Sequence, residues 1–316
     1  MGVLGDLATI TPFMIPTKGS ESPKSVNNAM VLGGICGLPL YHYETVTRPT
    51  LPGPPGSIYS ALVAEPFVYS GPARLFDGYR VRPQSIQGSV RAYLVEGLGA
   101  CLLTFVAGAT VCVDSIYGSL GDAGIAVAQG LTYAVLSLFF THISGGQFNP
   151  AITLAMVSVR RQRPIHGAFY VLAQTVGACL AGGLLRLLYG RYAALGPPAF
   201  LGTPSLAPEL TPLEGMGIEA LISFMMVSAV FATAIDPRGN KRAAPFALGM
   251  VLSIGVLWAF HMTGAAFNPA RAFGPALASM HWTAHQIYWA GPLLGGMAAA
   301  GFYEFVLLRP LGTPIN

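Results

Sequence analysis

A chain of 316 residues in which 53% are hydrophobic and only 9% charged is not composed like a water-soluble domain, where roughly a quarter of residues carry charge. The mean hydropathy of +0.57 points to a membrane protein, and the net charge of +4 is too small to suggest a nucleic-acid partner. Glycine, at 39 residues, fits closely approaching transmembrane helices.

The chain opens with a region unlike the rest. Residues 1 to 88 are rich in Pro, Gly, Ser and Tyr, include RPTLPGPPG at 48 to 56, and show no long helical pattern. The apolar run from Met30 to Leu40 is broken by Gly33, Gly34, Gly37 and Pro39, so it reads neither as a spanning segment nor as a signal peptide. A largely disordered cytoplasmic extension is expected here, with a regulatory or sorting segment as the alternative. A membrane domain is expected over 89–309, followed by a short tail at 310–316. Cys36, Cys101, Cys112 and Cys179 lack paired or metal-ligand spacing and are expected as free thiols; no metal or cofactor is expected.

From Tyr93 onward, six runs are long enough to cross about 30 Å of hydrocarbon as helices. They lie near Tyr93 to Val113, Ala123 to Ile143, Ala168 to Tyr189, Met216 to Ile235, Ala243 to Thr263 and His285 to Leu308. Two shorter apolar pieces, Ala151 to Ser158 and Ala270 to Met280, follow spans two and five. Their length predicts re-entrant half-helices, tolerated at membrane depth where their loops are buried in protein or line a water-filled cavity. The expected fold is all-α, with six transmembrane helices and two half-helices.

Basic residues set the expected orientation. Arg80, Arg82 and Arg91, then Arg160, Arg161 and Arg163, then Arg238, Lys241 and Arg242, and finally Arg309 fall on one side of the spans. The other side has Arg191 beside Asp114, Asp122, Glu209 and Glu214. The positive-inside rule makes both termini cytoplasmic.

The half-helices carry a repeated phrase: HISGGQFNPA at 142–151 and HMTGAAFNPA at 261–270. Three spans separate the copies, so the second enters the bilayer from the opposite face. Glu96 in VEGLGACLLTF and Glu219 in IEALISFMMVS begin spans one and four, and extend the repeat to about 90–190 and 214–308. This is an inverted repeat, whose shared site is expected near the midplane.

Asn-Pro-Ala suits that place. Pro150 and Pro269 can open helices, where the missing N–H has no intrahelical partner, and Asn149 and Asn268 can cap them. Two N-termini meeting at the centre concentrate partial positive charge. Amide donors there hold a passing water by its oxygen, disfavour cations and interrupt a proton wire. Gly145, Gly146, Gln147, Gly264 and Ala266 are expected to line the path with backbone carbonyls. One Asn-Pro-Ala could be an ordinary helix start; two in symmetry-related positions, sharing His, Gly and Phe, are not.

SGGQFNPAITL at 144–154, TGAAFNPARAFGPAL at 263–277, AQTVGA at 173–178, YWAGPLLGG at 288–296 and the two glutamates together resemble the major intrinsic proteins, the aquaporins and aquaglyceroporins. The resemblance covers about 90 to 308. It implies one pore per subunit, homotetramers in a lipid bilayer, and passage of water or small neutral solutes. Pores of the aquaporin type select by diameter, lining hydrogen-bond groups and an electrostatic barrier from Arg or half-helix dipoles.

By offset from the two motifs, the family's outer filter falls here on Gln129, Val256, Ala265 and Arg271. This set matches neither the Phe, His, small residue and Arg of strict water pores nor the Trp, Gly, aromatic residue and Arg of glycerol pores. It is closest to tonoplast-type plant aquaporins, which the resemblance associates with ammonia, urea or hydrogen peroxide besides water. Ala272, Ala276, Tyr288 and Trp289 stand where glycerol facilitators usually differ, which favours water.

Arg271 is expected to donate to water and repel cations, since no carboxylate lies in its own segment. Glu96 and Glu219 are expected to accept from otherwise unpaired loop N–H groups, with proton relay as the alternative. His142 and His261 read as span-end residues, with pH gating as the lesser option. No nucleophile–base pair, metal-ligand spacing or phosphate loop suggests an enzyme. A glycerol or urea facilitator with low water permeability, a proton-coupled carrier and a non-conducting structural protein are the competing readings.

Overall fold

The computed structural model describes residues 86–195 and 200–308. The extension expected over 1–88 lies outside them except for its end, where Ile86 opens the first helix; the tail at 310–316 lies outside them altogether. In chain order the helices are α1 (Ile86–Tyr117), α2 (Gly121–Ser144), the short α3 (Pro150–Ser158), α4 (Pro164–Tyr189), α5 (Pro212–Val230), α6 (Ala244–Thr263), the short α7 (Pro269–Ser279) and α8 (Ile287–Phe302). The six longer helices are long and apolar enough to cross a membrane, while α3 and α7, at 9 and 11 residues, are not. Over the described residues the chain is thus an all-α membrane protein of six spanning helices and two half-helices.

Local sequence explains the boundaries. Pro stands at the first turn of α3, α4, α5, α6 and α7, where its missing N–H costs nothing. Thr211 and Glu214 form a reciprocal capping box at the start of α5. Gly145 and Gly264 end α2 and α6 in the left-handed conformation, donating their N–H groups to Thr141 O and Phe260 O at 2.9 and 2.8 Å. The α5 and α8 helices run on into single π turns at Phe231–Ile235 and Tyr303–Leu307.

Packing follows the repeat. Helix α1 lies against α4 as α5 lies against α8, and α2 packs on α6. Each half-helix crosses to the other repeat as well: α3 rests on α8, and α7 on α4. Two equivalent crossings show why small residues are needed. A Cβ on Gly177 would sit 2.0 Å from Gly97 O, and one on Gly295 would sit 1.9 Å from Ala220 O. Each crossing lies beside one of the two glutamates, so close helix contact positions those carboxylates.

The apolar residues divide between inside and outside. A buried cluster including Phe148, Phe231, Phe267, Tyr133 and Ile222 fills the centre. Outward, Leu94, Leu98 and Leu102 on α1, and Leu172, Val176, Leu180 and Leu184 on α4, form exposed stripes at near-helical spacing. Such stripes suit a bilayer, where lipid takes the place of a protein partner.

One end of the bundle is tied by ion pairs. Arg161 donates from Nε and Nη2 to the Glu304 carboxylate at 2.9 and 3.0 Å. Arg238 holds Asp236 through both carboxylate oxygens and donates to Leu307 O at 3.2 Å, joining the two π turns. The arginine holds the Asp236 carboxyl below its ordinary range despite the burial of that group.

Candidate functional site

Each half-helix is preceded by a loop that turns on residues of positive φ. These are Gly145, Gly146 and Phe148 in the first loop, and Gly264, Ala265 and Phe267 in the second. Left-handed backbone leaves consecutive N–H groups pointing one way, and a carboxylate collects them in each repeat. Glu96 accepts from Gln147 N at 3.0 Å, Phe148 N at 2.6 Å, Ser144 Oγ at 2.6 Å and Gln174 Nε2 at 2.8 Å. Glu219 accepts from Ala266 N at 2.8 Å, Phe267 N at 2.9 Å and Thr263 Oγ1 at 2.7 Å. Both glutamates are fully buried. A buried charge is tolerable only with this degree of satisfaction.

A tyrosine hydroxyl closes each loop from behind. Tyr170 donates to Ser144 O, and Tyr288 donates to Thr263 O, both at 2.8 Å. Ser144, Thr263, Tyr170 and Gln174 were not expected as loop partners, and Tyr288 was expected only as a position that sets water pores apart from glycerol facilitators. A signal was present for four of them: a hydroxyl residue precedes the glycine in both copies of the phrase, and a tyrosine follows each copy at similar spacing.

Past the loops, Asn149 and Asn268 stand in extended conformation as caps. Asn149 Oδ1 accepts from Ala151 N at 2.8 Å; Asn268 Oδ1 accepts from Ala270 N at 3.0 Å and Arg271 N at 3.2 Å. Their amides reach across the repeat boundary. Asn149 Nδ2 donates to Phe267 O at 3.1 Å, and Asn268 Nδ2 donates to Phe148 O at 2.8 Å. Each loop therefore gives a carbonyl to the other's asparagine, which brings the N-termini of α3 and α7 together. A primary amide has two N–H groups, so each asparagine keeps a second donor beyond this cross-link.

Two cavities lie along this junction. The first, about 20 Å³, is lined by Gln129, Tyr133, Asn149, Ala266, Asn268 and Arg271 together with apolar residues of α1, α5 and α6. The second, about 30 Å³, is lined by the first loop, Gly145 to Gln147, and by residues including Ile152, Met156, Val230 and Leu248. Either exceeds the roughly 10–15 Å³ that one water requires. Gln129 Nε2 is buried without a hydrogen-bond partner among the described residues. That donor beside a cavity is suited to water.

Arg271 is buried, and Nη1 donates to Gly202 O at 3.1 Å, from the connection between the repeats. Glu219, on another helix, also acts on it electrostatically, a neighbour invisible from the local sequence. Val256 and Ala265 are buried in the central cluster and are not among the residues lining either cavity, whereas Gln129 and Arg271 line the first. Of the expected carbonyls, those of Gly146 and Gln147 accept from the Tyr133 hydroxyl, at 3.5 and 3.0 Å. The Gln147 side chain is engaged at both ends, donating to Gln162 Oε1 at 2.8 Å and accepting from Thr153 Oγ1 at 2.6 Å. His261 Nε2 lies 2.8 Å from Asp122 Oδ2 at the bundle surface.

The arrangement can bind small polar molecules one at a time between amide donors and carbonyl acceptors, at a point where helix dipoles oppose cations. Comparison with known proteins places it in context. The family model described as Major intrinsic protein matches residues 84–303. Aquaporin-4 from Homo sapiens is 38% identical over 186 residues, covering 58% of this chain and 55% of that protein. The chain thus spans about half the length of that relative. Probable aquaporin TIP3-2 from Arabidopsis thaliana is 35% identical over 241 residues, covering 72% of this chain and 87% of that protein. The X-ray structure of the aquaglyceroporin from Plasmodium falciparum superposes with a TM-score of 0.61 at 19% identity, covering 69% of this chain and 97% of that one, a likeness of fold.

Proposed function

The chain belongs to the major intrinsic protein family, and on that premise we propose that it is a passive transmembrane channel for water that excludes protons and ions. The observation that carries the reading is the reciprocal bond pair, Asn149 to Phe267 O and Asn268 to Phe148 O, which joins two half-helix N-termini beside water-sized cavities. A water held by the remaining asparagine donors turns its hydrogens outward, and the opposed dipoles raise the cost of a cation there. By its outer filter alone, whose resemblance suggests ammonia, urea and hydrogen peroxide beside water, the channel would admit all three.

In this reading Asn149, Pro150, Ala151, Asn268, Pro269 and Ala270 form the central constriction, and Gln129, Val256, Ala265 and Arg271 the outer filter. The unpartnered Gln129 amide and the buried Arg271 guanidinium support that filter. Gly145, Gly146, Gln147, Gly264 and Ala266 supply carbonyls, while Glu96 and Glu219 hold the loops. Both termini are cytoplasmic in this reading, supported by the basic residues at the end that carries Arg161 and Arg238. Homotetramers are the assembly that family membership supports.

The test is stopped-flow shrinkage of proteoliposomes under an osmotic gradient, with ammonia, urea and glycerol measured in parallel. Water permeability well above that of empty vesicles is expected. Permeability equal to empty vesicles would overturn the channel reading. Gln129→Phe combined with Val256→His, which rebuilds a bulky filter, is expected to lose ammonia flux and keep water flux; equal loss of both would overturn the filter assignment.

A further inference from the structure

One residue of the path has no place in the scheme so far. Tyr133 is 2% exposed and lies on α2, one turn beyond Gln129. Of the described residues lining the two cavities, Tyr133 alone lines both. Across from it on α6, Leu252 lines the first cavity and Leu248, one turn away, lines the second. The division between the cavities therefore falls at the phenol ring on one wall and at that turn of α6 on the other.

The ring is fixed in place. Its hydroxyl donates to Gln147 O at 3.0 Å, and its ring stands perpendicular to the Phe148 ring at a centroid separation of 6.1 Å. Helices α2 and α6 cannot separate easily around it, because Gly130 and Gly249 pack backbone to backbone one turn away, with a Cβ on Gly249 only 2.5 Å from Gly130 O. At the matching position of the second repeat stands Leu252, so the phenol breaks the repeat's symmetry.

We infer that Tyr133, between the two cavities, sets the upper size limit of the permeant, so that water and ammonia pass and urea is stopped although the outer filter has no bulky aromatic residue. This deepens the channel reading and rests on it. The phenol's one proton is directed at a loop carbonyl, which holds the ring in the path, and a solute wider than water meets a ring with no room to turn. The cavities, at about 20 and 30 Å³, hold one or two waters each.

The experiment compares water, ammonia and urea permeability of the full chain in proteoliposomes, for wild type, Tyr133→Val and Tyr133→Phe. Wild type is expected to pass water and ammonia but no urea above empty vesicles. Tyr133→Val is expected to raise the ratio of urea to water permeability at least about fivefold; Tyr133→Phe keeps the ring and should still exclude urea. Urea flux in wild type, or an unchanged urea-to-water ratio in Tyr133→Val, overturns the inference while water flux keeps the channel reading intact. Urea passing Tyr133→Phe as freely as Tyr133→Val overturns it too, since ring bulk would not be the barrier. If Tyr133→Val passes no water, Tyr133→Leu, carrying the second repeat's residue, decides by the same ratio. Wild type and all variants impermeable to water would sink the channel reading itself, and the inference with it.

Discussion

Ala265 occupies, at φ +45°, the left-handed position that its counterpart Gly146 occupies at φ +64° in the first repeat. The second loop thus pays a cost that the first avoids, because a Cβ in this region is disfavoured by roughly 1–2 kcal/mol. Glycine regains part of that cost through the greater freedom of the unfolded chain, roughly 0.4–1 kcal/mol. Ala265→Gly is therefore expected to stabilise the protein by about 0.5–1 kcal/mol. A rise in the thermal unfolding midpoint in detergent is the outcome that checks it.

Glu219 offers two oxygens to three donors, all buried. Glu219→Gln replaces one acceptor oxygen with an N–H₂ group that faces a donor. Each orphaned loop donor costs about 1–3 kcal/mol. The variant should unfold at a clearly lower temperature and give less folded protein, and Glu96→Gln should behave alike. A proton-relay role would instead leave stability near wild type and change transport, so paired unfolding and flux measurements separate the two.

These carboxylates show how far the sequence could be read. Six spans, two half-helices and the inverted repeat were legible because length, hydropathy and the doubled phrase each constrain the answer independently. So was the pairing of one glutamate with each loop. The boundaries were less so: α1 begins at Ile86, ahead of the Tyr93 expected, because Arg91 and Ser89 continue a helix beyond the apolar run. The acceptor for Arg271, a carbonyl at Gly202, was not legible at all, since a main-chain oxygen carries no residue identity. Tyr133 likewise passed as one aromatic residue among many in an apolar span; only the fold shows what it separates.

Asn268→Asp tests the electrostatics of the constriction. The substitution removes the amide donor to Phe148 O and places a carboxylate where two helix N-termini meet. The negative charge offsets the dipole field that opposes cations. Proteoliposomes carrying this variant should leak protons or sodium down a gradient, as read by an entrapped pH-sensitive dye, where wild-type vesicles hold it. An equally tight variant would show that the barrier lies elsewhere.

The Asp236–Arg238 pair gives a pH prediction with a definite sign. Arg238 lowers the Asp236 pKa in the folded protein below its unfolded value, ordinarily about 3.9. Its contribution to stability is complete above that unfolded value and is lost as pH falls through the depressed folded value. The difference in unfolding temperature between wild type and Asp236→Asn should therefore stay constant from about pH 5 to 8 and shrink only below about pH 4. A difference that changed across the neutral range would mean that another group governs this end of the bundle.

The exchange of asparagine bonds between the loops also has a consequence for how the chain is made. Synthesis delivers the first loop, with the Asn149 amide and the Phe148 carbonyl, long before the residues that satisfy them exist. Until Phe267 and Asn268 leave the ribosome, the amino-terminal half holds a polar seam whose only partners are water or the insertion machinery. Arrival of the second half is what supplies those partners, and with them dries and closes the seam.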